Sequence, residues 1–379
     1  MKKNITLMIR TFRMEGYLGK DVFLVPLYLG KTLGYEATIV SLQKVTDKGL
    51  PPEVEGVKLK SIKSFHDIGL VLKFYVYILF HARKIDLLMR FHDSNETLFV
   101  SLLYKWLNPK GKAYVKMDLN PLNIDLEYWK KKPFRRSIRK ILYKKYLKWV
   151  DVFSCETSQA IEMQARFFSL VDKSACEKLV LMPNGFDEDL LQKFNMNILS
   201  YSEKENLIIT VGRLGTHPKN TEMFVKALES VDLKNWKVCM IGPIEEPFQS
   251  VIDEFYTAHP EKKDTVIFTG PIYDRKELWE YYNRAKVFVL TSEYEGCAIV
   301  YSEARRFANY IVTTDVGGAR DMTDNFQKGS MVEHDNFAQL ASILDDIIQG
   351  ELNTNVYSKS DMELLSWDEM VKKITPFLR

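Results

Sequence analysis

The feature that most restricts this chain is an alternation of short apolar runs of strand length with amphipathic stretches of helical period. In the first half "NITLMIR", "YEATIVSL", "GVKLKSI", "IDLLMRF", "KAYVKMD" and "VDVFSCE" have strand character, and patterns such as "NETLFVSLLYKWL" fall between several of them. Such alternation predicts a parallel, doubly wound sheet, because parallel neighbours need a crossover. After "VLMPNGFDEDL" the pattern restarts with "NLIITVGRL", "WKVCMIG", "TVIFTG", "KVFVLTS" and "YIVTTDVG", which predicts a second sheet of the same kind. A chain of 379 residues is too long for one ordinary core, so two α/β domains follow. The turn at Pro183, Asn184 and Gly185 and the polar "YSEKEN" put the boundary near 185 to 205, drawn here as domains 1–187 and 188–365.

Composition narrows the class. With 46% hydrophobic and 12% aromatic residues the chain can bury a well-packed core. Cys155, Cys176, Cys239 and Cys297 form no C-x-x-C pair, and "MKKNITLMIRTF" lacks the apolar core and cleavage site of a signal peptide, so a reducing, cytoplasmic setting is expected. The most apolar window, "GLVLKFYVYILF", carries Lys73 and falls short of the roughly 20 residues a membrane span needs, which predicts a buried helix. Charge is asymmetric: residues 1–190 hold 32 Lys+Arg against 21 Asp+Glu, and the remainder 21 against 29. A basic first half and an acidic second half suit a chain whose first domain meets a polyanionic surface.

Two stretches of the second half could carry chemistry. In "VFVLTSEYEGCAIVYSEARRF" a strand ends near Ser292, which places Glu295 in the loop beyond it and Glu303 about a turn and a half into the next helix. Ligands of doubly wound sheets bind in that crevice, and the backbone N–H groups from Gly296 onward suit an anion. The spacing alone is uninformative, and a structural carboxylate paired with Arg305 or Arg306 satisfies it equally. In "TVGRLGTHPKNTEMFVKAL" a second strand-to-helix loop delivers Arg213 and Lys219, a planar fork and a point charge suited to a diphosphate, or else an exposed, solvated pair. His217 reads as a loop residue, since no second histidine or cysteine stands at metal spacing.

Taken in order, "GRLGTHPKN", "MIGP", "VIFTGPI", "VFVLTSEYEG", the two glutamates and "VTTDVGGARD" resemble the carboxyl-terminal half of the retaining glycosyltransferases of family 4. That family has the GT-B fold, in which two Rossmann-like doubly wound parallel-sheet domains face a central cleft. "LMPNGFD" resembles the segment leading into that half and "SWDEMVKKI" the closing helix, so 366–379 is expected to pack back onto the first domain. The match covers residues 180–379; before that it is architectural.

The resemblance implies no cofactor or metal, and a nucleoside-diphosphate sugar donor, UDP ahead of GDP, held by the second domain. Arg213 and Lys219 match the diphosphate-binding cations and Glu303 the ribose-binding carboxylate. Glu295 matches the carboxylate beside the donor sugar, which stabilises positive charge at the anomeric carbon. Gly296, Cys297 and Ala298 match the backbone cradle of sugar and phosphate, and Gly270, Pro271 and Ile272 the turn that grips the base. In the first domain, Gly16 and Gly19 stand where the family has paired glycines, and Asp118, where many members place a histidine, is the expected substrate contact or a turn cap. The family often has a small residue, a Gly and a Pro after the second glutamate; here Arg305, Arg306, Ala308 and Tyr310 occupy that stretch. "DED" at 187–189 reads as helix-start acidity.

"YWKKKPFRRSIRKILYKKYLKWV" carries ten Lys/Arg between Lys130 and Lys148, with Phe134, Ile138, Ile141, Leu142, Tyr146 and Trp149 at helical spacing. The stripe is expected to face the core, and the basic side to meet anionic lipid headgroups or solvent. No nucleic-acid-reading motif accompanies it. The expected function is a hexosyltransferase-type, metal-independent, retaining glycosyltransferase in polysaccharide or glycoconjugate biosynthesis, cytoplasmic and peripheral at the inner membrane face. Its acceptor would be a glycan or lipid-linked hydroxyl. The alternatives are a nucleotide-sugar epimerase or hydrolase on the same fold, or a non-catalytic scaffold with a basic surface.

Overall fold

The computed structural model describes residues 2–44, 49–64, 70–119, 121–129 and 133–379. Lys130 to Lys132 of the basic segment lie outside the described residues. The chain divides into two compact units, Met1–Asp187 with Ser366–Arg379, and Glu188–Leu365. The doubly wound parallel sheet expected from the alternation is present in each.

The first unit is built on β1 (Asn4–Ile9), β2 (Glu36–Lys44), β3 (Glu53–Val54), β4 (Val57–Ser64), β5 (Leu87–Phe91), β6 (Lys112–Met117), β7 (Val152–Cys155) and β8 (Leu179–Leu181). Their order is β3-β4-β2-β1-β5-β6-β7-β8, parallel except for the β3–β4 pair. The helices are α1 (Met14–Tyr17), α2 (Asp21–Leu33), α3 (Leu70–His81), α4 (Asn95–Leu107), α5 (Pro133–Trp149) and α6 (Ser158–Ser169). From β4 onward the chain steps one way along the sheet, and right-handed crossovers then stack α3 to α6 on one face. Phe74, Ile78, Leu98, Tyr104, Tyr146 and Phe168 from these four helices accordingly share one buried cluster. The step from β1 to β2 runs the other way, and α2 packs against a helix from the chain's end, Trp367–Lys372.

The second unit holds α7 (Glu188–Lys193), then β9 (Leu207–Val211), α8 (Thr221–Ser230), β10 (Lys237–Ile241), α9 (Phe248–Ala258), β11 (Val266–Gly270), α10 (Arg275–Arg284) and β12 (Val287–Leu290). It continues through α11 (Ile299–Arg306), β13 (Tyr310–Thr314), α12 (Ala319–Met322), β14 (Gly329–Val332), α13 (Phe337–Gln349) and α14 (Lys359–Glu363). Strand order is β11-β10-β9-β12-β13-β14, all parallel. The chain then rejoins the first unit as α15 (Trp367–Lys372) and α16 (Thr375–Leu378). There Trp367 N donates to Phe186 O over 3.0 Å and Lys112 Nζ to Phe377 O over 3.1 Å.

Several helix ends are finished by side chains, since each terminus leaves four unpaired backbone groups. Ser94, Thr157, Asp274 and Asn336 accept from the amides of Thr97, Ala160, Glu277 and Gln339 at the starts of α4, α6, α10 and α13. Three lysines close helices at the other end, where the dipole favours a cation. Lys178 Nζ donates to three carbonyls at the end of α5, Lys204 to three at the end of α10, and Lys262 to three at the end of α8.

Two burial expectations are corrected. α3 is a helix, but only its inner stripe, with Phe74 and Ile78, is buried, while Leu72, Val76, Leu79 and Phe80 are exposed. The apolar stripe of α5 is split: Tyr146 is buried, whereas Ile138 and Ile141 stand outward among the lysines. Both helices meet the sheet through one face only, and nothing described covers the other. Among the described residues no helix is long and apolar enough to cross a membrane.

Candidate active site

In the second unit the strand order reverses between β9 and β12, which pair through Val287 with Ile208 and Phe288 with Ile209. Connections that leave a doubly wound sheet on opposite sides of such a switch point open a crevice at the carboxyl ends of the strands. The loop after β9 carries Arg213 and Lys219; the loop after β12 carries Glu295 to Ala298. The two loops are tied together. Glu293 N donates to Pro218 O over 2.9 Å, and Thr291 Oγ1 donates to the carbonyls of Lys219 and Asn220.

Lys219 Nζ donates to Glu295 Oε1 over 2.5 Å, and Ser292 Oγ donates to the same oxygen over 2.7 Å. The lysine is the last residue of a short 3₁₀ turn, His217–Lys219. Asn220 follows with φ 42°, a left-handed conformation that asparagine tolerates better than most residues. Its side-chain amide holds the turn by donating to Glu293 Oε1 over 2.6 Å and Asp335 Oδ1 over 2.9 Å. Arg213 is exposed at the mouth of the same loop. Lys219 and Glu295 are thus brought together, as a cation and an acceptor converging on one crevice.

The Glu295 loop is fixed from behind by the segment after β13. Gly318 N donates to Gly296 O over 3.0 Å, and Gly317 has φ 50°. A Cβ on Gly317 would fall 1.8 Å from Gly296 O, so only glycine permits this approach. Cys297 is buried, and Ala298 is the first residue of the turn into α11, with no side-chain cap on the helix's opening amides.

Glu303 sits deeper. Its side chain is 4% exposed, and Oε1 receives Arg275 Nη1 at 2.9 Å and Trp279 Nε1 at 3.0 Å from α10. A buried carboxylate needs such partners, since an unpaired charge there costs several kcal/mol. The expected base-gripping turn, Gly270 to Ile272, leads straight to them, as Asp274 caps α10 and Arg275 is its first residue. Burial and the neighbouring Glu303 push the Tyr282 phenol well above its usual range. Sequence reasoning missed Arg275, Trp279 and Ser292; the only signal was an Arg and a Trp four apart on one amphipathic helix.

The arginines after Glu303 make their strong pairings with other segments. Arg305 is buried and ties α11 to the end of α12 and to α14 through Met322 O, Asp324 and Asp361. Arg306 grips Glu188 with two parallel bonds, 2.5 and 3.1 Å. Glu188 is therefore more than helix-start acidity: it is clamped to α11, while Asp187 accepts from Tyr28 over 2.6 Å in the first unit.

The remaining expected residues lie in the first unit. Gly16 and Gly19 belong to the β1–α2 connection. Asp118 follows β6, partly exposed, with His92 Nδ1 4.0 Å from its Oδ2. Its neighbour Lys116 is fully buried, donating to Asp21 Oδ2 over 2.7 Å, to Asn184 Oδ1 over 3.3 Å and to Glu156. One ammonium does not balance two carboxylates in the interior, and burial pushes the Glu156 carboxyl well above its usual range. Beside Asp118 lies a cavity of about 230 Å³ among the α4 start, the loop after β6, α5 and α6. Trp129, Tyr128, Tyr143 and Phe167 give it aromatic walls, and Asp93, Asn95, Asp125 and Arg139 polar ones. Burial raises the Asp93 carboxyl to about 6, offset by the hydroxyl of Tyr143 that donates to it.

Comparison with known proteins gives this geometry a context. Residues 192–361 match the model for glycosyl transferases group 1. The amylovoran biosynthesis glycosyltransferase AmsD of Erwinia amylovora is 26% identical over 153 residues, which cover 40% of this chain and 41% of that protein. The capsular polysaccharide biosynthesis glycosyltransferase CapM of Staphylococcus aureus is 26% identical over 210 residues, 50% of this chain and 52% of that one. The chain thus spans about half or less of these relatives. Among solved structures, the lipopolysaccharide outer core galactosyltransferase WaaB superimposes with a TM-score of 0.69 at 13% identity, covering 99% of both chains. HepE of Anabaena, solved with UDP and glucose, gives 0.62 at 14% identity, again over 99% of both. Residues 192–361 therefore form a glycosyl transferases group 1 domain, and the chain as a whole has the GT-B fold.

Proposed function

We propose that this protein is a retaining glycosyltransferase that moves a hexosyl group from a nucleoside-diphosphate sugar, UDP before GDP, to a hydroxyl of a glycan or lipid-linked acceptor. The transfer serves polysaccharide or glycoconjugate assembly at an anionic membrane surface. The observation that carries the reading is the Lys219–Glu295 pair at the switch point of the second sheet. Support comes from the relatives, named for amylovoran and for capsular polysaccharide biosynthesis, and from HepE, solved with UDP-glucose.

In this reading Lys219 and Arg213 neutralise the diphosphate as the anomeric C–O bond breaks, and Glu295 faces the developing positive charge. The acceptor oxygen bonds to the same face of the anomeric carbon, and its proton passes to the departing diphosphate. Glu303, held by Arg275 and Trp279, accepts from the ribose hydroxyls, and Gly270 to Ile272 receive the base. Gly296, Cys297 and Ala298 cradle sugar and phosphate through their backbone. The first-unit cavity, with aromatic walls and carboxylate, amide and guanidinium groups, takes one ring of the acceptor beside Asp118.

The test is thermal stabilisation by nucleoside diphosphates and their sugars, followed by product analysis with the sugar that binds. A rise in melting temperature with UDP and a glycoside of unchanged anomeric configuration are expected. A flat response to the whole panel would leave a non-catalytic scaffold as the better account.

A further inference from the structure

Lysines on one helix would hold a protein near an anionic membrane, but the structure offers a broader surface. α3 packs against α4 and α4 against α5, so the three form one layer over the sheet. Each presents an apolar stripe on the side away from the core. On α3 it is Leu72, Val76, Leu79 and Phe80, spaced so that all four project together, with Phe80 76% exposed. On α4 it is Phe99 and Trp106, two turns apart, with Trp106 66% exposed. On α5 it is Ile138 and Ile141, the latter 69% exposed.

Single exposed apolar residues are ordinary, but eight on three adjoining helices form a face that water solvates poorly. Its charge identifies the occupant. α3 and α5 contain no acid, and the one acid of α4, Glu96, is buried against Arg90. Lys140, Lys144, Lys145 and Lys148 are exposed on α5, and Lys145 lies over the Trp149 ring at 4.1 Å from its centre. Aromatic and branched side chains interleaved with lysines, without compensating acids, match the boundary between acyl chains and anionic headgroups. A protein partner fits less well, because lysine is depleted at interface cores.

We propose that the outer face of α3, α4 and α5 docks on an anionic bilayer, with Phe80, Phe99, Trp106 and the two isoleucines entering the acyl boundary and the α5 lysines at phosphate level. This rests on the membrane-surface reading above and adds insertion to charge. α5 also lines the first-unit cavity through Arg139 and Tyr143, so the docked face brings that cavity beside the lipid.

The test uses the full chain and sedimentation with phosphatidylcholine vesicles, with or without phosphatidylglycerol. Wild type binds the mixed vesicles and not the neutral ones. Phe80→Ser/Trp106→Ser weakens binding by at least about tenfold, and Lys140→Gln/Lys144→Gln by roughly fivefold for each lysine. Both variants keep the wild-type melting temperature and its rise with UDP, which shows the fold and donor site intact. Unchanged binding by the serine variant would overturn insertion while leaving electrostatic attachment standing. No binding of wild type to mixed vesicles would overturn the membrane reading as a whole, without touching the donor site. Self-association that the same serine substitutions abolish, in a chain that ignores vesicles, would assign the face to a second copy of the protein.

Discussion

Lys219 and Glu295 lie 76 residues apart in sequence and 2.5 Å apart in space, each coming from the loop that follows one of the two strands flanking the switch point. Contact between two such loops fixes where a cation and a carboxylate can meet one ligand. Glu295→Gln keeps the shape and removes the charge, so turnover should fall roughly 100- to 1,000-fold with little change in donor affinity. Lys219→Ala should lower both. The double variant should lose less than the sum, with a coupling of about 1–3 kcal/mol from a cycle of kcat/KM values.

Glu303 and its α10 partners answer differently. Arg275→Ala leaves a nearly buried carboxylate with one donor fewer, and a stability loss of about 3 kcal/mol in denaturant titration is expected. Glu303→Gln keeps an acceptor oxygen for Arg275 and Trp279, and should weaken nucleotide binding more than it lowers the melting temperature. Wild-type nucleotide binding in Glu303→Gln would remove Glu303 from the donor site.

Gly317 sets the position of the Glu295 loop through backbone contact alone. Gly317→Ala must relieve a 1.8 Å approach to Gly296 O as well as a left-handed φ, so both turnover and stability should drop, stability by about 1–3 kcal/mol. Gly34, which ends α2 with φ 71°, provides the comparison, because a Cβ added there would meet nothing within 4 Å. Gly34→Ala should cost about 1 kcal/mol and leave turnover unchanged.

The first-unit cavity carries a pH signature. Burial holds the Asp93 carboxyl at about 6, above the unfolded value of about 3.9. The folded state therefore keeps a proton that the unfolded chain has already released. Asp93 contributes stability below pH about 4, and that contribution is lost as pH rises through about 6. Melting temperatures of wild type and Asp93→Asn should converge below about pH 4, separate between about 4 and 6, and stay apart above that with the wild type lower. Parallel curves would show that Asp93 titrates as an ordinary carboxylate.

The sheets were legible in the sequence because central strands such as β9, β12 and β13 are near-continuous apolar runs, as strands buried on both faces must be, while β4 alternates. β3 and β8 were not legible: they have two and three residues, too few for a period to show, and β14, "GSMV", opens on glycine and serine and holds only two apolar residues. Burial on α3 misled because "LVLKFYVYILF" is apolar almost all round, so no polar side marked the outward face. The loops bearing Lys219 and Glu295 could be placed from strand ends, but not the partners of Glu303. Arg275 and Trp279 come from the preceding helix, and which residues face each other across two helices depends on packing that no local spacing records. Arg305 and Arg306 failed for the same reason: their carboxylates, Asp324, Asp361 and Glu188, stand on three other segments.

The bridge between Phe186 and Ser366 makes the second unit an insertion, because the points where the chain leaves and re-enters the first unit are adjacent. Excising 188–365 and splicing the ends would remove one whole module without cutting a strand of the other. Residues 1–187 and 366–379, joined directly, should thus be expressible as a free-standing half, and a tag on Arg379 reports on the module that Met1 begins rather than on the one just before it in sequence.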